Sequence, residues 1–226
     1  GDVYKRQEQG LTIIEGNLFI KGQKPVEQRS SYGLGEVIID ALNNGADNIV
    51  ISLGGIDSFD GGIGMMQALG AQFYNDEEEL LDAREGAQVI KFIRRIDFSA
   101  IPQNFKDAHI KLMSDFSSKL YGKYSEIMKT YETHQMTREK AAEIDNLIWY
   151  FSELVKNEMK IAMGPIERGG AGGGIAALLN GLYDAEILTS HELVNQITHL
   201  DDLVSQADLI IFGEGVKEED LSLIHI

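Results

Sequence analysis

Four carboxylates stand in settings where a folded chain could use them. Asp57 and Asp60 lie in GGIDSFDGG (54–62), Asp115 follows HIKLM (109–113), and Glu214 lies between Gly213 and Gly215. A carboxylate so placed can join phosphate oxygens around Mg²⁺, or accept the proton of a substrate hydroxyl. Each could equally cap a helix or a turn, and for Asp57 that is the simpler reading. Around these residues three segments share one design: SSYGLGE (30–36), GGIDSFDGGIG (54–64) and RGGAGGG (168–174) each put glycines next to a helix start. Glycine admits positive φ and lets backbone N–H groups approach an anion, while the helix start adds partial positive charge. Such a loop holds a phosphate or carboxylate without lysine or arginine. Glycines also serve tight turns and close helix packing, but three such loops together favour binding. None matches the GxxxxGK[ST] phosphate loop or a dinucleotide fingerprint after a strand. The five histidines, at 109, 134, 191, 199 and 225, are scattered and suggest no metal cluster.

The elements that must position these residues alternate. LTIIEGNLFIKG (11–22) predicts a hairpin turning at Glu15-Gly16-Asn17. From Gly35, the spacing of Val37, Ile38, Ala41 and Leu42 predicts a helix ended by Asn43-Asn44-Gly45. NIVISL (48–53) is a β-branched run suited to a strand covered on both faces. A short helix through Met65, Met66 and Leu69 follows, AQVIKFIRRIDF (87–98) predicts a strand region, and HIKLMSDF (109–116) another strand. Residues 137–158 form the clearest amphipathic helix, capped by Thr137, with Ala141, Ile144, Ile148, Phe151 and Val155 on one side. ERGGAGGGIAALLNGLY (167–183) is a glycine loop feeding a small-residue helix, Ser190 caps the next helix, and ADLIIFGEG (207–215) is a further buried strand. Strand, glycine loop and helix in repeated order predict an α/β fold with a mostly parallel sheet and flanking helices. Carboxylates at the ends of such strands converge on the usual ligand crevice.

Charge and composition narrow the partners. The 226 residues carry 20 Lys+Arg against 36 Asp+Glu, a net charge of 20 − 36 = −16, which argues against nucleic acid or an anionic membrane surface. No stretch predicts a bilayer span, and no signal-peptide pattern opens the chain. The absence of cysteine excludes disulfides and thiolate metal sites, and a reducing cytoplasm is the simplest setting. The ends read as foreign. DVYKRQ (2–7) and LSLIHI (221–226) can be encoded by one DNA sequence and its reverse complement, and that DNA resembles a sequencing adapter. Residues 1–7 and 221–226 are therefore set aside as scars, and 8–220 is read as a fragment of a longer α/β protein.

Five motifs in order resemble the glycerate kinase family, the bacterial two-domain type. SSYGLGEVIIDALNNGADNIVISLGG (30–55) is similar to the family's S-x-G-x-G-E helix, strand and double glycine. DGGIGMMQALGA (60–71) resembles DGGxGMxQALGA and is the most specific match. SDF (114–116), GGAGGGIAALLNGLYDAEI (169–187) and ADLIIFGEG (207–215) resemble the remaining three. Departures fall within the motifs: Ile56 and Phe59 stand where members keep serine and asparagine, Ser118-Lys119-Leu120 replaces N-P-L, and no G-P-Q-K-G segment is recognisable within 121–137.

The resemblance implies part of a two-domain kinase that transfers the ATP γ-phosphoryl group to glycerate, with ATP and Mg²⁺ as cofactors and no metal ligand identified. Backbone amides of Gly54, Gly55, Gly61, Gly62, Gly169, Gly170, Gly172 and Gly173 are expected to bind anions, helped by Ser31, Gly33, Gly35, Ser58, Gly213 and Gly215. Asp60 is expected to contact substrate or metal, with Asp115 and Glu214 behind it. The chain alone is expected to lack turnover, and its oligomeric state is left open. The competing expectation is a non-catalytic relative that binds a small organic acid or nucleotide.

Overall fold

The structure, a computed structural model, describes residues 5–8, 11–19 and 24–209, with 5–8 as backbone only. Residues up to Ser190 form one compact unit, and His191 begins a second. In the first unit five strands make one sheet in the order β1-β2-β3-β6-β7. They are β1 (Lys5–Glu8), β2 (Leu11–Glu15), β3 (Asn48–Ser52), β6 (His109–Met113) and β7 (Glu186–Leu188). β2, β3, β6 and β7 run parallel, and β1 pairs antiparallel on the outside of β2. Lys5–Gln7, set aside on sequence grounds, thus belongs to the edge strand. A separate ribbon pairs β4 (Gln72–Tyr74) with β5 (Arg95–Asp97) antiparallel.

The register decides where ligand loops can gather. Glu15, Ser52, Met113 and Leu188 stand in one row across the four parallel strands. Each parallel strand therefore hands its chain to a loop at the same edge of the sheet. β3 is buried along Ile49–Ser52, as its β-branched sequence requires, whereas β2 alternates because the sheet thins toward β1.

Helices fill the connections. α1 (Tyr32–Asn43) links β2 to β3, α2 (Ile63–Ala68) follows the glycine loop, and α3 (Gln103–Lys106) precedes β6. Between β6 and β7 come α4 (Glu126–Thr130), α5 (Arg138–Met159) and α6 (Ile175–Tyr183). α5 matches its pattern: Thr137 caps it by accepting from Lys140 N at 3.2 Å, and Ala141, Ile144, Ile148, Phe151 and Val155 are buried. Phe151 meets Phe73 edge-to-face at 6.4 Å, which ties the helix to the ribbon.

Two expectations fail. Gly16–Leu18 makes a 3₁₀ turn rather than a hairpin, and β2 pairs with β3 in parallel instead of with the residues after the turn. Gly16 has a packing role: a Cβ there would stand 2.6 Å from Ser52 O. In 87–98 only Arg95–Asp97 is strand, because Ala83–Phe92 coils into 3₁₀ turns broken at Gly86 (φ 74°). The second unit contains most of α7 (Ser190–Thr198) and all of α8 (Leu200–Gln206), joined at His199, where the Asn195 side chain donates through Nδ2 to Asp201 Oδ2 and accepts at Oδ1 from Asp201 N. The predicted strand 207–215 lies outside the described residues from 210 onward.

Candidate functional site

Asp60 closes the first half of the site. Its carboxylate is fully buried and accepts from Ser31 N (2.8 Å), Ser31 Oγ (2.9 Å), Gly62 N (3.0 Å) and Gly64 N (3.3 Å). Ser31 Oγ accepts in turn from Met65 N at 2.9 Å. The starts of α1 and α2 are thereby tied to one carboxylate. Burial pushes the Asp60 carboxyl above its ordinary range, and the four donors pull the other way. Neighbouring glycines let the two helices meet: a Cβ on Gly35 would stand 2.4 Å from Met65 O, and one on Gly64 2.1 Å from Ser30 Oγ. Gly33 is equally closed, against Phe19 O at 2.6 Å.

The 30–36 loop is therefore a helix-packing device. The ligand cradle expected of Ser31, Gly33 and Gly35 is filled by protein, because Phe19 and α2 take the space. Asp60 likewise has no open face, being surrounded by its four donors.

The second half lies on the other side of the same loop. A cleft of about 680 Å³ opens at the carboxyl edge of the sheet, with Gly55, Asp57, Ser118, Glu126, Lys129 and His134 among its walls. Among the described residues, four buried side-chain oxygens or nitrogens lack a hydrogen-bond partner: Asp57 Oδ1, Ser58 Oγ, Ser118 Oγ and Glu126 Oε2. Three of these residues line the cleft and the fourth adjoins Asp57 in sequence. Buried polar atoms are paired as a rule, so a cluster of exceptions on one cavity marks a place meant to receive polar atoms from elsewhere.

The walls are held in place. Asp145 on α5 accepts from Gly122 N at 2.7 Å and from Ser125 Oγ, which fixes the start of α4. Lys129 Nζ donates to Ser117 O at 2.7 Å and brings positive charge to the rim. Asp57 is paired with Arg29, and His134 Nδ1 lies 2.8 Å from Asp57 Oδ1. Burial lowers the His134 pKa, Asp57 opposes that, and Arg29 adds to it. Phe59 packs its ring edge-to-face on His134 at 5.2 Å, and Ile56 seats against Gly16 and Gly172.

The third glycine loop joins here. Gly172 (φ 62°) and Gly173 (φ 63°) are both left-handed, and Gly61 N donates to Gly173 O at 3.0 Å. A Cβ on Gly173 would stand 2.0 Å from Ser58 O, so only glycine lets the two loops touch. The backbone N–H groups of Gly173 and Gly172 point at the Glu126 carboxylate, whose pKa burial pushes up to about 7. An amide nest of the kind that receives anions therefore faces an anion of the protein's own.

Fold, register and loop order can now be set beside known proteins. The glycerate kinase family model matches residues 10–220. The chain belongs to the glycerate kinase family. It is 31% identical over 186 residues to the glycerate kinase of Halalkalibacterium halodurans, covering 82% of this chain and 48% of that protein. It is 30% identical over 196 residues to glycerate 2-kinase of Escherichia coli K12, covering 84% and 51%. A crystal structure assigned as glycerate kinase 2 of Salmonella typhimurium LT2 superposes with a TM-score of 0.82 at 26% identity, over 93% of this chain and 58% of that one. The chain spans about half the length of the curated glycerate kinases it matches.

Of the residues expected from sequence, Ser58 lies against Gly173 of the 172–173 turn, and Gly55 and Asp57 line the cleft. Gly54 lies beside it in open space. Gly61, Gly62, Gly169 and Gly170 are packed against Phe151, Leu178, Ile166 and Lys119. Asp115 is drawn aside, accepting from Ser190 N (2.8 Å) and Ser190 Oγ (2.9 Å), so it caps α7 where Ser190 itself was the expected cap. Gly213, Glu214 and Gly215 lie outside the described residues. Sequence reasoning missed Glu126, Lys129, Arg29 and His134. Glu126, Lys129 and His134 fall in the stretch without a recognisable family motif, and Arg29 meets Asp57 only through folding.

Proposed function

We propose that this chain supplies one wall of a glycerate kinase site, in a protein that transfers the ATP γ-phosphoryl group to a glycerate hydroxyl to give phosphoglycerate. The observation that carries the reading is the cluster of unpartnered buried oxygens on a cleft at the carboxyl edge of a parallel sheet. Glycerate presents a carboxylate and two hydroxyls, and needs amide, hydroxyl and cationic donors together with acceptors. The cleft offers Ser118 and Lys129 as donors, with Asp57 and Glu126 as acceptors, and the Gly172 and Gly173 amides back Glu126. Work of this kind rests on positioning and charge stabilisation.

The same donors suit the phosphates of a nucleotide, and bound Mg-ATP would bring the transferable group together with its counter-charge. Among the described residues no three of His, Cys, Asp and Glu cluster to hold a metal ion, so no residue is assigned to Mg²⁺. Asp60 takes a positioning role in this reading, since it holds both helix starts behind the loop.

A second reading, a non-catalytic binding module, draws on Ile56 and Phe59, both buried at 3% exposure, which fill space where relatives of the resembled pattern keep polar groups. Calorimetric titration of the chain with glycerate and with propionate tests the primary reading, alongside an assay of ADP release from Mg-ATP. Glycerate is expected to bind at least tenfold tighter than propionate, and equal affinity would sink the assignment. ADP release dependent on glycerate would remove the second reading.

A further inference from the structure

Glu126 is the least settled buried group in the cleft. It lies in the first turn of α4, held there by the Ser125–Asp145 bond. The Gly172 and Gly173 amides face its carboxylate, yet Oε2 has no partner. Ser118 Oγ, 3% exposed on the same cleft, also has none. An ionised Glu126 mimics a bound anion in the amide nest and repels a real one. A protonated Glu126 gives up its charge and gains an O–H donor, which turns the same corner into a receptor for an anionic oxygen.

We infer that Ser118 and Glu126, the latter backed by the amides of Gly172 and Gly173, form a subsite for the carboxylate or phosphoryl group of a small ligand, and that Glu126 holds this anion as the neutral acid, donating a hydrogen bond to it. The identity of the ligand rests on the glycerate reading above. The proton linkage does not.

The surroundings fit this behaviour. Burial favours the uncharged form and places the titration near neutrality, at about 7. Lys129, one turn along α4, is the cation that draws it down. Asp145 faces the preceding residue, Ser125, from α5 and accepts from its Oγ. Across the cleft stand Asp57 and His134, with Arg29 behind Asp57. His134 is the other group in this set whose protonation would help an anion bind, and burial lowers its pKa.

The test uses sulfate and glycerate, whose charges do not change between pH 6 and pH 8. With a free-state pKa of about 7, binding to the protonated form weakens roughly tenfold from pH 6 to pH 8. Calorimetry in buffers of different ionisation enthalpy should show uptake of about 0.9 proton per anion at pH 8 and about 0.1 at pH 6. In Glu126→Gln the dissociation constant should become flat with pH and stay near the wild-type value at pH 6. A flat wild-type profile, no binding of either anion at pH 6, or a pH dependence that survives in Glu126→Gln would each overturn the subsite. The last result would pass the titration to His134. If Glu126→Gln does not fold, wild-type proton uptake decides alone, and its absence defeats the proposal. Sulfate following the linkage while glycerate binds no better than propionate would keep the subsite and remove the glycerate reading. Selective but pH-independent glycerate binding would do the reverse.

Discussion

Asp60, fully buried, and Glu126, largely buried, are carboxylates beside glycine loops, and their surroundings could hardly differ more. Asp60 has four donors on its two oxygens and no neighbour left wanting. Glu126 keeps an oxygen without a partner, beside three other oxygens in the same condition. The loop 54–64 separates these two settings by only a few residues. Full satisfaction marks the side that builds the fold, because every donor there is answered from within. Missing partners mark the side that waits for a ligand, because a folded chain does not otherwise leave such groups buried.

The largest expected effect breaks the satisfied side. Asp60→Ala removes the acceptor of four donors that remain buried between α1 and α2. Breaking a buried charged network of this kind costs roughly 3–5 kcal/mol. For a chain of this size that lowers the melting temperature by roughly 10 °C. Urea denaturation would measure it, and a loss below 1 kcal/mol would mean that Asp60 is not the clasp.

This contrast also explains what was legible in the sequence. Repeating strand, glycine loop and helix gave the α/β class, and the α5 stripe from Ala141 to Val155 gave its buried face, because both are local periodicities. DGGIGMMQALGA carried the family. The roles inside that motif were not legible: Asp60 carries the same letter whether it faces a ligand or four backbone donors. Gly33 and Gly35 likewise read as a cradle until Phe19 and α2 are seen to fill it. Glu126 and Ser118 were invisible because their meaning lies in absent partners, and only assembled loops show that. The hairpin at Glu15-Gly16-Asn17 failed through tertiary override, since β3 offers β2 a longer pairing than a local turn could.

The next effect runs on the unsatisfied side and has the opposite sign. Glu126 titrates near 7 in the fold, against an ordinary glutamate value of 4.5. Below pH 4.5 both folded and unfolded chains hold the proton, and stability from this group is at its full value. As pH rises through about 7 that stability is lost, because the folded chain must ionise a buried group that the unfolded chain ionises freely. At roughly 1.4 kcal/mol per factor of ten, the loss approaches about 3 kcal/mol. Glu126→Gln should therefore stabilise the protein by up to that amount at pH 8 and leave it unchanged at pH 4. Paired urea curves at the two pH values check this. A variant less stable at pH 8 would show that the Gly172 and Gly173 amides outweigh burial.

The smallest expected effect lies at the bend between the two sides. Gly54 has ordinary φ, and a Cβ there would meet nothing within 4 Å. Its neighbour Gly55 is left-handed (φ 70°) and lines the cleft. Gly54→Ala should change stability by no more than about 0.5 kcal/mol, since no neighbour must move. If the open space beside Gly54 belongs to the ligand, the added methyl enters that space, and affinity for glycerate should fall severalfold while the urea midpoint stays fixed. That split would extend the site from Ser118 and Glu126 to the end of β3. Unchanged affinity would confine the ligand to the Glu126 side and leave Gly54 as a turn residue, so a single methyl group measures how far the unsatisfied region reaches.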